Sequence, residues 1–273
     1  MKNYYNEEIL KLISDEILDL SIEELKVIYM KFQNEEYEWI SSKDTKGVFN
    51  SFLSLPSVYH RQFDLPYVIP SKQQNHKTII ILGMDALASS DRPEDDEILL
   101  NTPYNLHSKQ GRETKVNQYW DIINDLRNDY NLYLTDIFKS YFRNPSKSNE
   151  IEAYTDLKAH QEILEAEINI VKPEGILAWG KPAREAIITL YNLPVNSIGH
   201  NRLITKDDIR KPYYIDKIKT KFISTPHPSG LTRPAHWRSF YQVNLPEKDS
   251  TDHHSRPSVL SNLITSSFNS NIE

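Results

Sequence analysis

The sequence predicts an α/β fold of three layers, helix on sheet on helix, around a central four-stranded, mostly parallel sheet, with a helical cap at the N-terminus. Three observations carry this. Short apolar runs at Thr78–Leu82, Leu132–Thr135, Gly175–Trp179 and Lys221–Ser224 have the length and composition of buried strands. Segments with helical spacing separate them, which is the alternation of a sheet with helical crossovers. Residues 6–40 show helical spacing before the first of these runs.

In chain order, Ile9, Leu10, Ile13 and Ile17 mark a first apolar helix face. Ser21 and Glu24 form a capping box that opens a second amphipathic run through Leu25, Ile28 and Phe32. A connector punctuated by Leu55-Pro56, Leu65-Pro66 and Ile69-Pro70 follows. Thr78–Leu82 ends at Gly83, where a strand feeds a loop. Val116–Tyr130, with Tyr119, Ile122, Ile123 and Leu126, reads as helix, as does Tyr154–Val171. Gly180 opens another helix with Pro182 in its first turn. The expected division is an acidic helical segment at 1–70, a main α/β domain at 71–247 and a polar, mobile tail at 248–273.

The chain has 273 residues, 38% of them hydrophobic and 26% charged, an ordinary globular composition. No apolar run reaches membrane-spanning length and the N-terminus lacks a signal-peptide pattern, so a cytoplasmic monomer is expected. The absence of cysteine excludes disulfides, thiolate nucleophiles and cysteine-held metal clusters. The nine histidines show no tight ligand pairing, His253-His254 lying in a polar stretch, and no metal or cofactor is expected. Residues 1–40 hold ten acids against four bases, which accounts for the whole net charge of -6. The segment 202–221 reverses the balance with seven bases and three acids, which permits phosphate contact on the C-terminal side.

In a parallel sheet, ligands bind beyond the carboxyl ends of the strands. Here those positions are Gly83–Ala86, Thr135–Lys139, Trp179–Pro182 and Thr225–Leu231. The last contains His227 between two prolines, each of which fixes its own φ and restricts the residue before it. His227 is either the aimed side chain of a site or a passenger on a rigid connector.

Taken in order, these segments resemble the uracil-DNA glycosylase superfamily over residues 76–245. Ile79–Asp85 resembles a first motif of a strand followed by Gly-x-Asp. Thr102-Pro103-Tyr104 falls where that family places an aromatic after proline. Leu134–Lys139 resembles the strand end that reads the base, Val171–Gly180 a strand leading into a helix, and His227-Pro228-Ser229 the last motif. The resemblance implies a DNA partner and hydrolysis of an N-glycosidic bond after the base is flipped from the duplex.

It also implies roles. Asp85 positions water and offsets charge on the sugar, unless it only caps the turn after its strand. His227 donates to a base carbonyl as negative charge gathers there. Gly83 and Met84 bring backbone N–H groups close to that carbonyl. Tyr104 stacks on the flipped base, or is a packed loop aromatic. Leu231 falls at a wedge position, and Lys139, Ser229, Thr232 and Arg233 are phosphate contacts.

Position 136 departs from the family pattern. Relatives commonly carry asparagine, whose amide offers a donor and an acceptor to uracil; Asp136, when ionised, only accepts. It would repel a uracil O4 and accept from the amine of a cytosine-like base, which points to a modified cytosine of the kind found in phage genomes and to a defence role, unless Asp136 is protonated, points elsewhere or only caps the following turn. Ala86-Leu87-Ala88 and the acidic stretch Asp91–Glu97 also depart from the pattern. The expected function is a monofunctional DNA glycosylase that leaves an abasic site. Uracil excision in repair and a silent DNA-binding module stand as alternatives.

Overall fold

A computed structural model describes residues 6–35, 39–42, 52, 62–73, 77–85, 98–113, 118–140, 157–194, 211–228, 234–245 and 257–270, with backbone alone for Asp85, Gln118 and Leu157. Helices α1 (Glu7–Glu16) and α2 (Ile22–Gln33) precede strands β1 (Ile40–Ser41), β2 (Gln62–Asp64), β3 (Tyr67–Ile69), β4 (Thr78–Asp85) and β5 (Leu99–Asn101). Then come α3 (Lys109–Glu113), α4 (Gln118–Leu126), β6 (Asn131–Phe138), α5 (Leu157–Val171), β7 (Gly175–Trp179) and α6 (Lys181–Tyr191). The chain continues through β8 (Tyr213–Ile215), β9 (Thr220–Thr225), α7 (Pro234–Asn244) and α8 (Pro257–Asn269). The fold is the predicted α/β class. Its larger sheet has the order β3-β6-β4-β7-β9-β8, in which the four predicted strands occupy the centre and β3 and β8 extend the edges.

The chain divides into two compact units that do not follow the expected linear boundaries. The first comprises Met1–Val68, Asp85–Glu113 and Leu134–Ile170. Its first two helices start where local chemistry demands. The Asn6 side chain accepts from the Glu8 N–H at 2.9 Å, and Ser21 and Glu24 close both arms of the capping box. That cap opens the second helix where the sequence places it, and this helix stops at Gln33, short of the expected residue 40, because Glu35 turns into left-handed backbone at φ 57°. Ile9, Leu10, Ile13, Leu25, Ile28 and Phe32 are buried, as their spacing requires. The segment read as a proline-marked connector carries structure of its own, β2 and β3; β2 runs parallel to β5, while β1, which starts at the end of the stretch expected as helix, runs antiparallel to β5. Leu55-Pro56 lies outside the described residues.

The second unit comprises Ile69–Met84, Thr114–Tyr133 and Val171–Glu273. β4 pairs in parallel with β7, Ile79 opposite Gly175 through Leu82 opposite Ala178, and β7 pairs in parallel with β9. Ile79 to Leu82 and Ile176 to Trp179 are fully buried, which is why these strands read as continuous apolar runs. β8 joins β9 antiparallel and closes this edge.

One expectation is corrected here. The stretch taken as a mobile tail contains α8, whose Leu260, Ile264 and Phe268 are buried. Tyr130 donates to the Asn269 side chain at 3.1 Å and Ser261 to Asp125 at 3.0 Å. Lys221 caps the helix end by donating to the carbonyls of Phe268 and Ser270 at 2.6 and 2.5 Å. The serine- and asparagine-rich composition hides an apolar stripe at i, i+4 and i+8 that holds the helix down.

Candidate active site

In the second unit, the parallel register brings the carboxyl ends of β4, β7 and β9 level, with Leu82 opposite Ala178 and Trp179 opposite Thr225. Gly83, buried, and Met84, partly exposed, therefore share an edge with Trp179-Gly180 and Thr225-Pro226-His227. The Gly180 N–H donates to the Thr225 carbonyl at 3.0 Å and ties the two strand ends together. Gly180 adopts φ 88°, ψ 166°, a conformation open essentially to glycine alone. A Cβ there would sit 3.4 Å from His227 Cβ and 3.6 Å from its Cδ2. A Cβ would thus meet the histidine at ordinary contact distance, so the backbone conformation, not the space, requires glycine here.

His227 keeps part of its surface exposed, but its ring is closely enclosed. Tyr119 Oη lies 3.2 Å from its Nδ1, and the two rings meet edge to face at 5.5 Å. Trp179 also packs on Tyr119, ring centres 5.4 Å apart. Loss of water around the imidazole pushes its pKa down from 6.5 to about 4. The ring is therefore neutral at physiological pH, with one nitrogen a donor and the other an acceptor.

In the first unit, Asp136 is buried in β6 at 1% exposure. Next to it a completely buried ion pair joins Lys139 to Glu167 of α5 at 2.6 Å. The Lys139 ammonium also donates to Thr135 Oγ1 at 2.5 Å and to the Asp136 carbonyl at 2.7 Å. Thr135 in turn donates to Glu167, and the Lys139 N–H donates to His160 Nδ1 at 3.2 Å. The expectation of Lys139 as a phosphate contact is corrected: its three N–H bonds are spent inside the protein on a carboxylate, a hydroxyl and a carbonyl. It fixes the backbone that carries Asp136.

Tyr104 sits in the 3-10 turn Pro103–Asn105 and, like Asn105, has left-handed backbone, φ 62° and 55°. Two consecutive non-glycine residues in that region carry a steric cost that the surroundings must offset. The Asn105 N–H donates to Thr102 O at 2.9 Å. A Cβ on Gly111 would lie 2.0 Å from the Asn105 carbonyl oxygen, so α3 crosses the turn at contact distance only because that residue is glycine. Tyr104 is partly exposed on top of this framework.

Asp85 closes β4, and its side chain lies outside the described residues, as do Ser229, Leu231, Thr232 and Arg233, the stretch Asp91–Glu97 and His253-His254. The structure thus brings Gly83, Met84 and His227 to one sheet edge and describes Tyr104 and Asp136 within the other unit. It adds Tyr119, read from the sequence only as a helix residue, and sets Trp179 and Gly180, expected at a ligand-facing strand end, around His227. Glu167 was also missed, although its place beside Ile163, Leu164 and Ile168 on the buried face of α5 was a legible sign of a buried charge. Among the described residues, no His, Asp and Glu group could hold a metal ion, and no helix is long and apolar enough to cross a membrane.

A three-layer αβα fold with His227 held beyond the carboxyl ends of its parallel strands is an α/β domain with a side chain where such sheets bind ligands. A family model described as Uracil DNA glycosylase superfamily matches residues 70–244, well over half of the chain, and the chain belongs to that superfamily. Its general activity is that of a DNA glycosylase, and its members act on DNA. A search of curated proteins returns no match.

Proposed function

We propose that this protein is a monofunctional DNA glycosylase that extrudes a cytosine-derived base from DNA and hydrolyses its N-glycosidic bond, leaving an abasic site. The observation that carries the reading is the neutral His227 ring, enclosed beyond β9 with Tyr119 at its Nδ1.

In this scheme the bond between the sugar C1′ and the base nitrogen breaks, and its electron pair moves onto the base and its carbonyl oxygen. His227 donates a hydrogen bond from Nε2 to that oxygen as the charge develops, a task for a neutral donor in a water-poor site. Water adds to C1′ and gives its proton to Asp85, which also offsets the positive charge on the sugar. The departed base takes up one proton from solvent and Asp85 returns the one it took from water, so that one water is added across the broken bond and the sugar bears a new hydroxyl. The N–H groups of Gly83 and Met84 line the approach to the carbonyl, and Tyr104 stacks on the extruded base.

Asp136 supplies the base selectivity. Its carboxylate accepts from an exocyclic amine and repels a carbonyl at the same position. Buried at the end of β6 on a backbone clamped by Lys139, it has little freedom to turn away. A bulky modified cytosine, as in phage genomes, is the substrate class this favours, with defence against such DNA as the role. Ser229, Thr232 and Arg233 contact phosphate, and Leu231 is the wedge that replaces the extruded base.

The test is release of base from oligonucleotides containing uracil, cytosine, 5-hydroxymethylcytosine or glucosylated hydroxymethylcytosine, read as alkali-labile sites. Wild type is compared with Asp85→Ala and His227→Ala. Cleavage at a cytosine derivative, lost in both variants, is the expected result. Uracil release alone overturns the selectivity, and no release from any of them returns the chain to the class of silent DNA-binding modules.

A further inference from the structure

Helix α2 and the residues after it lie outside the segment matched to the family, residues 70–244, yet they reach the turn that carries Tyr104. Phe32 of α2 packs on His107, ring centres 4.4 Å apart. His107 is fully buried, and its Nδ1 lies 2.8 Å from Thr102 Oγ1, one residue before the 3-10 turn. Glu35, just past α2, pairs with Arg112 at 2.5 Å. The other guanidinium nitrogen of Arg112 donates to the carbonyls of Leu106 and His107 at 3.0 and 2.8 Å. β1 pairs with β5 immediately before the turn, Ile40 opposite Leu100, and Ser42 Oγ accepts from the Ile98 N–H at 3.0 Å.

These contacts bracket Tyr104 from both sides along the chain. A turn with two successive left-handed non-glycine residues does not hold itself; it persists where surrounding contacts over-determine it. Three of the groups that do so here, Phe32, Glu35 and the β1 strand, come from the N-terminal extension.

We propose that the N-terminal extension, residues 6–42, is a positioning element that holds the Tyr104 turn ready to stack on the extruded base, an inference that rests on the glycosylase reading for its last step. Phe32 and Glu35 are positioning residues that act through His107 and Arg112, and Tyr104 is the residue that meets the base.

The test uses the full chain carrying Phe32→Leu and Glu35→Gln, with a retained cooperative urea transition as the check that the variant folds. Hydrogen exchange of the free protein is measured first. Faster exchange at the amides of residues 104–108, with β7 and β9 unchanged, is expected, and no change there overturns the proposal. A cycle with Tyr104→Ala follows, on whichever of the four oligonucleotides is cleaved fastest. The double substitution should lower kcat/KM about 5-fold when Tyr104 is present and add almost nothing when it is absent. An equal loss in both backgrounds, the signature of general destabilisation, overturns the proposal. If wild type releases no base, the glycosylase reading fails by itself, and the exchange result alone upholds or overturns the brace.

Discussion

Tyr119 Oη lies 3.2 Å from Nδ1 of His227, a contact across 108 residues that joins α4 to the segment after β9. The imidazole is neutral, so this one contact bears on where its proton sits. A tyrosine hydroxyl donating to Nδ1 places the imidazole proton on Nε2 and makes Nε2 the donor. Tyr119→Phe removes that bias. The expected outcome is a kcat lowered roughly 2- to 10-fold with KM and thermal stability little changed, in line with the loss of one neutral hydrogen bond. Nitrogen-15 shifts of His227 should report a protonated Nε2 in wild type; a protonated Nδ1 there refutes the assignment.

The same burial makes stability depend on pH. The folded-state pKa of His227, about 4, lies below the ordinary value of 6.5, so between these pH values the unfolded chain binds the extra proton and the folded chain does not. The unfolding free energy therefore rises with pH across that window. The contribution is fully present above pH 6.5 and is lost as pH falls toward 4. Urea midpoints of wild type should decline over this interval more steeply than those of His227→Gln. Equal slopes would show that the ring is not withheld from protons.

How far the sequence carries this picture depends on whether each signal is local. The strands that became β4, β6, β7 and β9 announced themselves because burial on both faces leaves uninterrupted apolar runs. β3 and β8, three residues each at the sheet edges, carry too few positions for a pattern. The capping box at Ser21 and Glu24 was legible because both partners lie within one turn. His227 was singled out by its flanking prolines, but Tyr119 looked like any aromatic on a helix face, and its partner is far along the chain. Lys139 was misread because a lysine beside a strand end is usually exposed, and the carboxylate that buries it lies on another element. α8 was hidden by composition, although Leu260, Ile264 and Phe268 stand at helical spacing.

Breaking the Lys139–Glu167 pair should be costly. Both side chains have 0% exposure, so Lys139→Met leaves the Glu167 carboxylate buried without its cation. The expected loss is about 3–5 kcal/mol of unfolding free energy, read from urea denaturation. Replacing both members, Lys139→Met with Glu167→Leu, should recover most of it, since two apolar groups leave no uncompensated charge. If the double variant is as unstable as the single one, the Lys139 bonds to Thr135 and Asp136, and not the pair itself, dominate its role.

That clamp sharpens the prediction for Asp136. Lys139 bonds the Asp136 main-chain carbonyl at 2.7 Å, so changing the side chain leaves the backbone anchored and alters only the chemistry presented. Asp136→Asn keeps the shape, removes a charge and adds a donor. An amide can donate to a carbonyl at the position where the carboxylate repels it, while still accepting from an N–H. The ratio of uracil to cytosine-derivative release should therefore rise about 10-fold or more, the span of one base-edge hydrogen-bond pair. Measured as kcat/KM on matched oligonucleotides, with unfolding midpoints as a control for stability, an unchanged ratio would remove Asp136 from base reading. A fall in both rates without a change in ratio would give it a structural role at the end of β6.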